Sequence, residues 1–364
     1  MKNNNLIVFL PRMDCGGAEK VMLQLMDEMV EKKINVKLFL IQKKGVLLSG
    51  IHGDIAVTEL GSNKVPFYLS VVIAFVRLIQ IVNKTKPKRM LSTITGMNLF
   101  VLLASVFFKH RPHIVVREAV TMENYGSKLK KFLVKVFYSK ADSIVSVSHE
   151  VKYDLMGIIN DGKKIRIINN PVQFKLLKIK AQETFNHPWI DDRNTRVICC
   201  MGRLCYQKGF DVLIDALAKF QQDDNVRLLI LGEGEIKMKL QEQAIKLGVE
   251  QKIDFLGYQE NPFKIIIRCH LFVLSSRWEG FVNSLLEVVT LGVPIVSTDC
   301  RGGPRQILVD GSYGKLVPVD DVDSLYHTMK LILKENVSNN IPPDYFEKYT
   351  IDNITRQYID LYSW

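Results

Sequence analysis

The sequence predicts an α/β protein of two tandem doubly wound, Rossmann-like domains with a ligand cleft between them. A chain of 364 residues is too long for one ordinary core, so two domains are the first expectation. Strand-like apolar runs alternate with helical segments, as in parallel sheets covered by helices on both faces. The alternation stops once and restarts, which indicates two such domains. Ligands bind these folds outside the carboxyl ends of the strands.

The first half begins with a strand, a glycine-rich turn at 15–17 and a helix at 18–33. Its strand-like runs are 5–10, 35–41, 113–118 and 142–148. Two longer apolar runs, 65–82 and 99–108, predict buried helices, because neither supplies the roughly 18 uninterrupted apolar residues of a membrane-spanning helix. We therefore expect residues 1–175 to form an N-terminal domain.

The second half restarts the alternation after an irregular segment, 176–194, which we interpret as the interdomain linker. Its strand-like runs are 196–202, 226–234, 252–258, 271–276, 294–299 and 314–319, with helices at 210–220 and 235–248. Residues 195–345 are thus predicted to form a C-terminal domain. The final segment, 346–364, contains an amphipathic stretch and is expected to form a helix that crosses back onto the first domain.

The charge of the chain is distributed unevenly. Residues 1–180 contain 29 Lys and Arg against 13 Asp and Glu, a net charge of +16, whereas residues 181–364 contain 20 against 25, a net charge of −5. The basic half favours a polyanionic partner, either an anionic membrane or nucleic acid. The six Cys residues lack zinc-site spacing, and the N-terminal apolar run is shorter than a signal-peptide core, so we expect buried thiols in a cytoplasmic protein.

The segment 126–140 (GSKLKKFLVKVFYSK) has the residue spacing of an amphipathic helix. Its apolar side contains Leu129, Phe132, Leu133, Val136 and Phe137, and its other side contains Lys128, Lys131 and Lys135. Such a helix either packs its apolar side on the core or lies on anionic lipid headgroups. The sequence leaves both alternatives open.

Two glycine-containing motifs follow predicted strands of the second half. LILGEGE (229–235) has Gly-x-Gly but lacks the third Gly of a dinucleotide fingerprint, which excludes nicotinamide binding there. In MGRLCYQKGF (201–210), Arg203 and Lys208 flank a turn between a strand and a helix. A planar guanidinium and a compact ammonium in that position suit a diphosphate and require no metal.

A third motif, RWEGFVNSLLEVVTLGVP (277–294), contains two carboxylates, Glu279 and Glu287. Ser284 and Glu287 have the spacing of a capping box, which offers Glu287 a structural role. Glu279 has no such role. A carboxylate beside the free amides of a helix N-terminus, here residues 283–286, suits the hydroxyl groups of a sugar or ribose next to an anion.

These motifs form one ordered series with Gly16-Gly17-Ala18-Glu19 near the start and Gly302-Gly303-Pro304 near the end. The series, and above all Glu279-x7-Glu287 with GFVNSLLE between, resembles the family-4 glycosyltransferases of the GT-B fold. The resemblance covers essentially the whole chain. It implies a retaining hexosyltransferase that uses nucleotide-sugar donors.

The resemblance implies a role for each matching position. Glu279 would contact the donor sugar and Glu287 the ribose, while Arg203 and Lys208 would bind the diphosphate. Glu279, Arg203 and Lys208 form the catalytic set that it implies. The other implied donor contacts are Gly16 and Gly17 near the phosphates, Tyr258 at the base, Gly280 and Phe281 beside the first Glu, and the amides of Ser284 and Leu285.

The resemblance also implies the reaction. A hexose or N-acetylhexosamine would pass from a nucleotide diphosphate sugar, expected to be UDP-linked, to a polyprenyl-diphosphate-linked saccharide or lipopolysaccharide precursor. The setting would be O-antigen, lipopolysaccharide or capsule assembly. The departing phosphate would take the acceptor's proton, so neither a protein nucleophile nor a metal or other cofactor is expected. The sequence departs from the family pattern at Arg117 and Glu118, which stand where relatives often carry a His.

The basic first half and the 126–140 segment predict a peripheral protein at the inner face of the plasma membrane. Two rival functions remain open. A sugar-nucleotide epimerase or hydrolase of the same architecture would consume the donor without an acceptor. A nucleic-acid-binding protein would also explain the basic half, but the basic residues lack interleaved aromatic side chains, so no nucleic-acid partner is expected.

Overall fold

A computed structural model of the chain describes residues 5–14, 16–121, 128–159, 161–220, 225–335 and 341–362. Cys15, Gly126 and Ser127, which belong to predicted motifs, lie outside these ranges. The chain divides into two compact units. The first unit consists of Met1–Pro171 together with Lys348–Trp364, and the second unit consists of Val172–Glu347.

The first unit contains a parallel sheet of seven strands within the described ranges, in the order β3-β2-β1-β4-β5-β6-β7. The strands are β1 (Asn5–Leu10), β2 (Asn35–Leu40), β3 (Ala56–Glu59), β4 (Arg89–Thr93), β5 (His113–Glu118), β6 (Ser143–Ser146) and β7 (Ile165–Ile167). The helices that connect them are α1 (Gly17–Glu31), α2 (Phe67–Thr85), α3 (Thr95–Ala104), α4 (Lys128–Phe137) and α5 (His149–Met156). The central strands are almost completely buried, as expected for a sheet covered on both faces.

The second unit contains a parallel sheet of six strands in its described residues, in the order β10-β9-β8-β11-β12-β13. The strands are β8 (Arg196–Met201), β9 (Val226–Leu231), β10 (Ile253–Gly257), β11 (Leu271–Leu274), β12 (Ile295–Thr298) and β13 (Lys315–Val317). The helices are α6 (Phe174–Ala181), α7 (Pro188–Asp191), α8 (Phe210–Ala218), α9 (Lys237–Lys246), α10 (Phe263–Ile266), α11 (Asn283–Leu291), α12 (Pro304–Ile307), α13 (Val322–Glu335) and α14 (Pro343–Glu347).

Both sheets have the doubly wound strand order, so the predicted α/β class with two Rossmann-like halves is confirmed. In each sheet the direction of winding reverses once, between β1 and β4 in the first unit and between β8 and β11 in the second. Loops leaving adjacent strands on either side of this reversal diverge and leave a crevice at the carboxyl edge. Functional side chains are therefore expected after β8 and β11.

The segment 176–194, predicted to be an irregular linker, instead contains α6 and α7 and belongs to the second unit. Helix α6 packs against α10 and α11, and the Asn261 side-chain amide donates to the Lys180 carbonyl at 2.8 Å. His187 Nε2 lies 3.1 Å from Asp254 Oδ2. The linker prediction failed because a mixed-polarity segment with His187-Pro188 looks irregular, although α6 has Leu177 and Ala181 to bury.

The last helix, α15 (Ile351–Asp360), belongs to the first unit and packs against α1. Ile354, Tyr358 and Tyr362 are buried in the same apolar cluster as the inner side of α1. The Tyr362 hydroxyl donates to the Met90 carbonyl of β4 at 2.9 Å. The final segment is thus part of the core of the first unit.

Helix α2 differs from the prediction of a buried helix. Only its stripe of Ser70, Ala74, Leu78 and Val82 is buried, while large apolar side chains on the outward side are exposed. Helix α3, in contrast, is mostly buried, as predicted. In α4 only Val134 is buried, and Leu129, Phe132 and Val136 are exposed.

Candidate functional site

Two loops of the second unit meet at the reversal of its sheet. Lys208 ends a short 3-10 helix, Tyr206–Lys208, after β8, and Glu279 follows β11. Lys208 Nζ lies 2.6 Å from Glu279 Oε1, and the two side chains are 17% and 8% exposed. The structure thus brings together two of the three predicted catalytic residues as a largely buried ion pair at the crevice.

Glu279 is held from several directions. The Ser276 hydroxyl donates to Glu279 Oε1 at 2.7 Å, and the Glu279 amide donates to the Arg301 carbonyl at 2.8 Å. The Gln207 side-chain amide donates to the Trp278 carbonyl at 2.8 Å. The carboxylate is therefore oriented before any ligand arrives, and a preorganised group needs little rearrangement to act on one.

Arg277 ties the two loops together. Its guanidinium makes a bidentate ion pair with Asp211 at 2.6 and 2.9 Å and donates to the Tyr206 carbonyl at 2.7 Å. It also lies 2.8 Å from Asp320 Oδ1 and 4.0 Å from the centroid of the Tyr206 ring. Hydrogen bonding to Asp211 raises the pKa of Arg277. This arrangement fixes the loop of Lys208 relative to the loop of Glu279.

Two glycines of the site permit close approach of backbones. Gly209 has φ +61°, and a Cβ there would overlap the Ser275 carbonyl oxygen. Gly302 has φ +110°, and a Cβ there would overlap the Glu279 carbonyl. A side chain at either position would be strained by the backbone conformation and would also push the two loops apart.

Arg203, the third predicted catalytic residue, lies just beyond the end of β8 with an exposed side chain. Within the part of the chain that the structure describes, its guanidinium makes no hydrogen bond or ion pair. The structure therefore does not join Arg203 to the Lys208–Glu279 pair. It leaves a cation with its donors available at the same edge of the sheet.

The predicted capping box at Ser284 and Glu287 is wrong. Helix α11 begins at Asn283, and its N-cap residue is Val282, whose apolar side chain makes no capping hydrogen bond. Phe281 and Val282 are buried and anchor the start of the helix two residues earlier than the motif suggested. Ser284 is therefore inside the first turn, where its side chain cannot act as the cap.

The first turn of α11 offers fewer free amides than predicted. The Leu285 and Leu286 amides both donate to the Val282 carbonyl, at 3.1 and 3.2 Å. Among the described residues, the Ser284 amide has no backbone acceptor. The Ser284 amide is thus available at the start of α11, whereas the Leu285 amide is already engaged, and the role of Ser284 at an anion stays a prediction.

The remaining predicted donor contacts are spread along the same edge of the sheet. Gly280 is buried beside Glu279, and Glu287 lies one helical turn after Asn283, on the same side of α11. Tyr258 is exposed directly after the edge strand β10, two strands from β8 and so about 10 Å along the sheet. The structure does not bring Tyr258 into contact with the Lys208–Glu279 pair.

In the first unit, Gly16 is the N-cap residue of α1 and Gly17 its first residue. A Cβ on Gly16 would overlap the Glu19 carboxylate, which folds back over the start of the helix. Burial raises the pKa of Glu19. Packing against Glu19 thus explains why a glycine is needed at position 16. The roles of Gly16 and Gly17 near the phosphates stay predictions.

Arg117 and Glu118 end β5 and are both fully buried. Glu118 accepts hydrogen bonds from the Thr95 hydroxyl at 2.9 Å and the Tyr138 hydroxyl at 2.6 Å. Burial raises the pKa of Glu118. Arg117 donates to Thr93 Oγ1 at 2.9 Å. Both side chains therefore take part in the interior of the first unit.

The sequence reasoning missed the residues that support Glu279, chiefly Ser276 and Arg277. Arg277 begins the motif at 277–294, two residues before Glu279, but its role depends on Asp211 and Asp320, which are distant in sequence. The sequence signal for this role was the position of a cation two residues before a candidate catalytic carboxylate.

Two family models match the chain. Residues 15–175 match the model described as glycosyltransferase family 4, and residues 182–351 match the model described as glycosyl transferases group 1. The two matches correspond closely to the two structural units.

Curated relatives match part of the chain. The N-acetylgalactosamine-N,N'-diacetylbacillosaminyl-diphospho-undecaprenol 4-alpha-N-acetylgalactosaminyltransferase of Campylobacter jejuni is 30% identical over 244 residues, 65% of each chain. The lipopolysaccharide 1,6-galactosyltransferase of Salmonella typhimurium is 27% identical over 217 residues, 57% of this chain and 58% of that one. The matches therefore span less than two thirds of the length of these relatives.

Solved structures match over almost the whole chain. Anabaena HepE in complex with UDP and glucose superposes with a TM-score of 0.81 at 17% identity, covering 98% of both chains. The apo form of the lipopolysaccharide outer core galactosyltransferase WaaB superposes with a TM-score of 0.74 at 20% identity, again over 98% of both. At these identities the likeness shows a shared fold. Together with the two family models and the ordered motifs, it establishes that the chain belongs to the family-4 glycosyltransferases of the GT-B fold.

Proposed function

We propose that this protein is a retaining hexosyltransferase that moves a hexose or N-acetylhexosamine from a UDP-sugar to a lipid-linked saccharide. The observation that carries the proposal is the preorganised Lys208–Glu279 pair at the reversal of the second sheet, with Arg203 exposed nearby. Cations at this edge suit a diphosphate, and a fixed carboxylate suits sugar hydroxyls.

The chemistry follows from where charge develops. As the bond between the sugar and the diphosphate breaks, the phosphate gains negative charge, which Arg203 and Lys208 would stabilise without a metal. The Ser284 amide adds a donor at the start of α11. The leaving phosphate then accepts the proton of the acceptor hydroxyl, which attacks from the departing side and so retains the configuration.

Lys208 has to serve two partners in this scheme. Without donor, its ammonium is paired with Glu279 at 2.6 Å. A bound diphosphate would share that ammonium, which frees one oxygen of Glu279 to accept hydrogen bonds from the sugar. Arg277 keeps both loops in place during this exchange through Asp211 and Tyr206. Glu287 would hold the ribose from the next turn of α11.

The proposed acceptor is a polyprenyl-diphosphate-linked saccharide or lipopolysaccharide precursor. Two relatives support it by name, a galactosaminyltransferase of a diphospho-undecaprenol-linked saccharide and a lipopolysaccharide galactosyltransferase. Helix α4 supports the same setting, because it exposes Leu129, Phe132 and Val136 beside its lysines. An amphipathic helix with an exposed apolar side and a basic side lies well on an anionic membrane.

Calorimetry across a panel of nucleotide sugars tests the donor, with and without chelator. We expect one UDP-sugar to bind regardless of chelator, and Lys208→Ala to weaken it at least about tenfold. Lys219→Ala is the matched control, since Lys219 pairs with Asp323 on the surface of the same unit. Absence of binding by every nucleotide sugar would contradict the proposal.

Product analysis separates the rival functions. Transfer to a lipid-linked acceptor with retained anomeric configuration supports the hexosyltransferase. Consumption of the donor at the same rate without acceptor indicates a hydrolase or epimerase instead. Retention on a nucleic-acid column that is lost steeply with salt would favour the nucleic-acid-binding rival.

The membrane role of α4 is tested by reversing the charge of Lys128, Lys131 and Lys135. We expect weaker binding to anionic liposomes, because each basic residue near an anionic surface contributes about 1 kcal/mol. Reversal of three lysines on α9 in the second unit, Lys237, Lys239 and Lys246, is the control. Equal binding by both triple variants would remove α4 from the membrane contact.

A further inference from the structure

The outward side of α2 exposes large apolar side chains in a row. Tyr68, Leu69, Val72 and Val76 are exposed on the helix, and Val106 and Phe107 are exposed on the adjacent 3-10 helix Ser105–Phe107. We name these six residues the α2 surface. Neither the proposed donor chemistry nor the α4 contact uses it.

The geometry of α2 is unusual for a helix on a water-facing surface. Its buried stripe repeats every four residues from Ser70 to Val82, and Tyr68, Val72 and Val76 repeat with the same spacing two positions away. Two positions correspond to about 200° around the helix, so this row faces directly away from the sheet. A helix in water normally carries polar residues there.

The few charges on α2 do not cover this row. The helix contains only Arg77 and Lys84 as charged residues. Arg77 NH1 donates to the Gly61 carbonyl at 2.9 Å and so turns back to the protein. The row is therefore apolar from Tyr68 to Val76, and the same line of the helix becomes polar at Gln80 and Lys84.

The 3-10 helix continues the same apolar surface. The Phe75 and Phe107 rings are in edge contact with centroids 6.0 Å apart. Asn83 accepts from the Lys109 amide at 2.7 Å and donates to the Phe107 carbonyl at 3.3 Å. These contacts hold Val106 and Phe107 beside α2.

The charge around the α2 surface indicates what covers it. Residues 60–112 contain eight Lys and Arg and no Asp or Glu. A second copy of the chain would bring the same positive charge to the contact, which disfavours pairing. An anionic bilayer offers both an apolar interior and negative headgroups, so it complements both properties of the surface.

The packing of α2 on the first unit disfavours a membrane-spanning role for this helix. By length and hydropathy α2 is the one helix of the described residues that could cross a membrane, and 22% of its apolar window is buried. Its inner stripe packs on the unit, and β4, in the middle of the sheet, begins four residues after its end. Crossing a membrane would require the helix to leave that position.

We infer that the α2 surface is a second bilayer contact, with its apolar side chains at the boundary between headgroups and acyl chains. The biological role of this contact rests on the proposed lipid-linked acceptor, whereas the contact itself is argued from the exposed apolar residues and the surrounding charge. Helices α2 and α4 both pack against α3 and so lie on one face of the sheet. Two separate contacts would fix the tilt of the first unit on the membrane, which one helix cannot do.

The test compares Glu substitutions on opposite faces of the first sheet, and the single variant Val72→Glu is matched in charge to the control below. Val72→Glu/Val76→Glu should lower binding to phosphatidylglycerol-containing liposomes at least about tenfold. The reason is that two apolar contacts with the bilayer are replaced by negative charges, which the anionic headgroups repel. Val46→Glu is the control. Val46 is 72% exposed, compared with 63% for Val72, and lies in a 3-10 helix packed against α1. The connection from β1 to β2 through α1 and the connection from β3 to β4 through α2 move in opposite directions along the strand order. Because such crossovers are right-handed, α1 and α2 lie on opposite faces of the sheet.

A fluorescence measurement does not depend on a disruptive charge. When liposomes are added, the fluorescence emission of a Trp introduced at position 72 should shift to shorter wavelength and be quenched by brominated lipids. The emission of a Trp introduced at position 46 should show neither effect. Unchanged liposome binding by the double Glu variant, or equal quenching at both positions, would overturn the inference. A dimeric wild type with a monomeric double Glu variant would also overturn it, since the surface would then be a self-association contact.

Donor calorimetry on the same variants keeps the two proposals distinct. If the wild type binds liposomes through the α2 surface but no nucleotide sugar, the membrane contact stands and the proposed function fails. If a UDP-sugar binds and the double Glu variant still binds liposomes as the wild type does, the function stands and the α2 surface is rejected.

Discussion

The buried ion pair between Lys208 and Glu279 makes a quantitative prediction about stability. Replacing Lys208 by Met removes the ammonium that lies 2.6 Å from Glu279 and leaves the carboxylate in a site where it is only 8% exposed. The Ser276 hydroxyl remains as its close donor, at 2.7 Å, and the Gln207 amide lies at 3.5 Å. The variant therefore carries a buried charge without a cation.

The magnitude follows from the burial of the pair. Removing one partner of a fully buried pair costs about 3–5 kcal/mol. The partial exposure of Lys208 and the retained Ser276 bond reduce this, so we expect about 2–3 kcal/mol. For a unit of this size, that corresponds to a fall in the melting temperature of roughly 5–10 °C.

Thermal unfolding of a double-mutant cycle measures this prediction. Lys208→Met and Glu279→Gln should each destabilise the second unit, and the double variant should be close to wild type because neither charge remains. Lys219→Met, which breaks a surface pair with Asp323, should leave the melting temperature unchanged. Strict additivity of the two single substitutions would show that the pair contributes no coupling and would refute the reasoning.

Four further predictions follow from contacts at the site and in the first unit. Glu279→Gln should bind UDP at least as tightly as wild type, because the lysine is released, yet transfer sugar at least about 100-fold more slowly; calorimetry and a transfer assay measure the two effects. Arg277→Lys should weaken UDP binding by about tenfold in calorimetry, since an ammonium cannot make the bidentate bond to Asp211 and reach the Tyr206 carbonyl together, and an unchanged Kd would contradict this. Gly302→Ala should lower the melting temperature of the second unit by more than about 5 °C, because φ is +110° and a Cβ overlaps the Glu279 carbonyl. Burial raises the pKa of Glu118 above its ordinary 4.5, so its contribution to stability is full below that pH and is lost as the pH rises towards the folded pKa. Glu118→Gln should therefore be more stable than wild type at pH 8 in chemical denaturation, with a flatter pH profile, and parallel profiles would count against it.

The fold could be predicted from the sequence where apolar runs were long and continuous. β1, β5 and β8 agree with their predicted ranges to within a residue, because each is a run buried on both faces. β3, β4 and β7 were missed, since strands of three to five residues that include Arg, Ser or Thr show no periodicity. β4 is a central strand because it pairs with β1 and β5, and this tertiary pairing is not visible in its own local sequence pattern.

Which side of a helix is buried could not be predicted for α2. Its composition is apolar all round, and composition does not tell which side meets the sheet. The capping box failed for a related reason, because buried Phe281 and Val282 set the start of α11 before the spacing of Ser284 could. At the site, the ion pair of Lys208 and Glu279 joins residues 71 positions apart, which no local motif encodes.

The return of α15 to the first unit has a consequence for the order of folding. The second unit is a continuous stretch of chain, Val172–Glu347, inserted into the first, so it can complete its core during synthesis. The first unit cannot, because Ile354, Tyr358 and Tyr362 of its core are synthesised after the second unit. Until they are made, one apolar face of the first sheet is incompletely covered, and such exposed apolar surface favours aggregation.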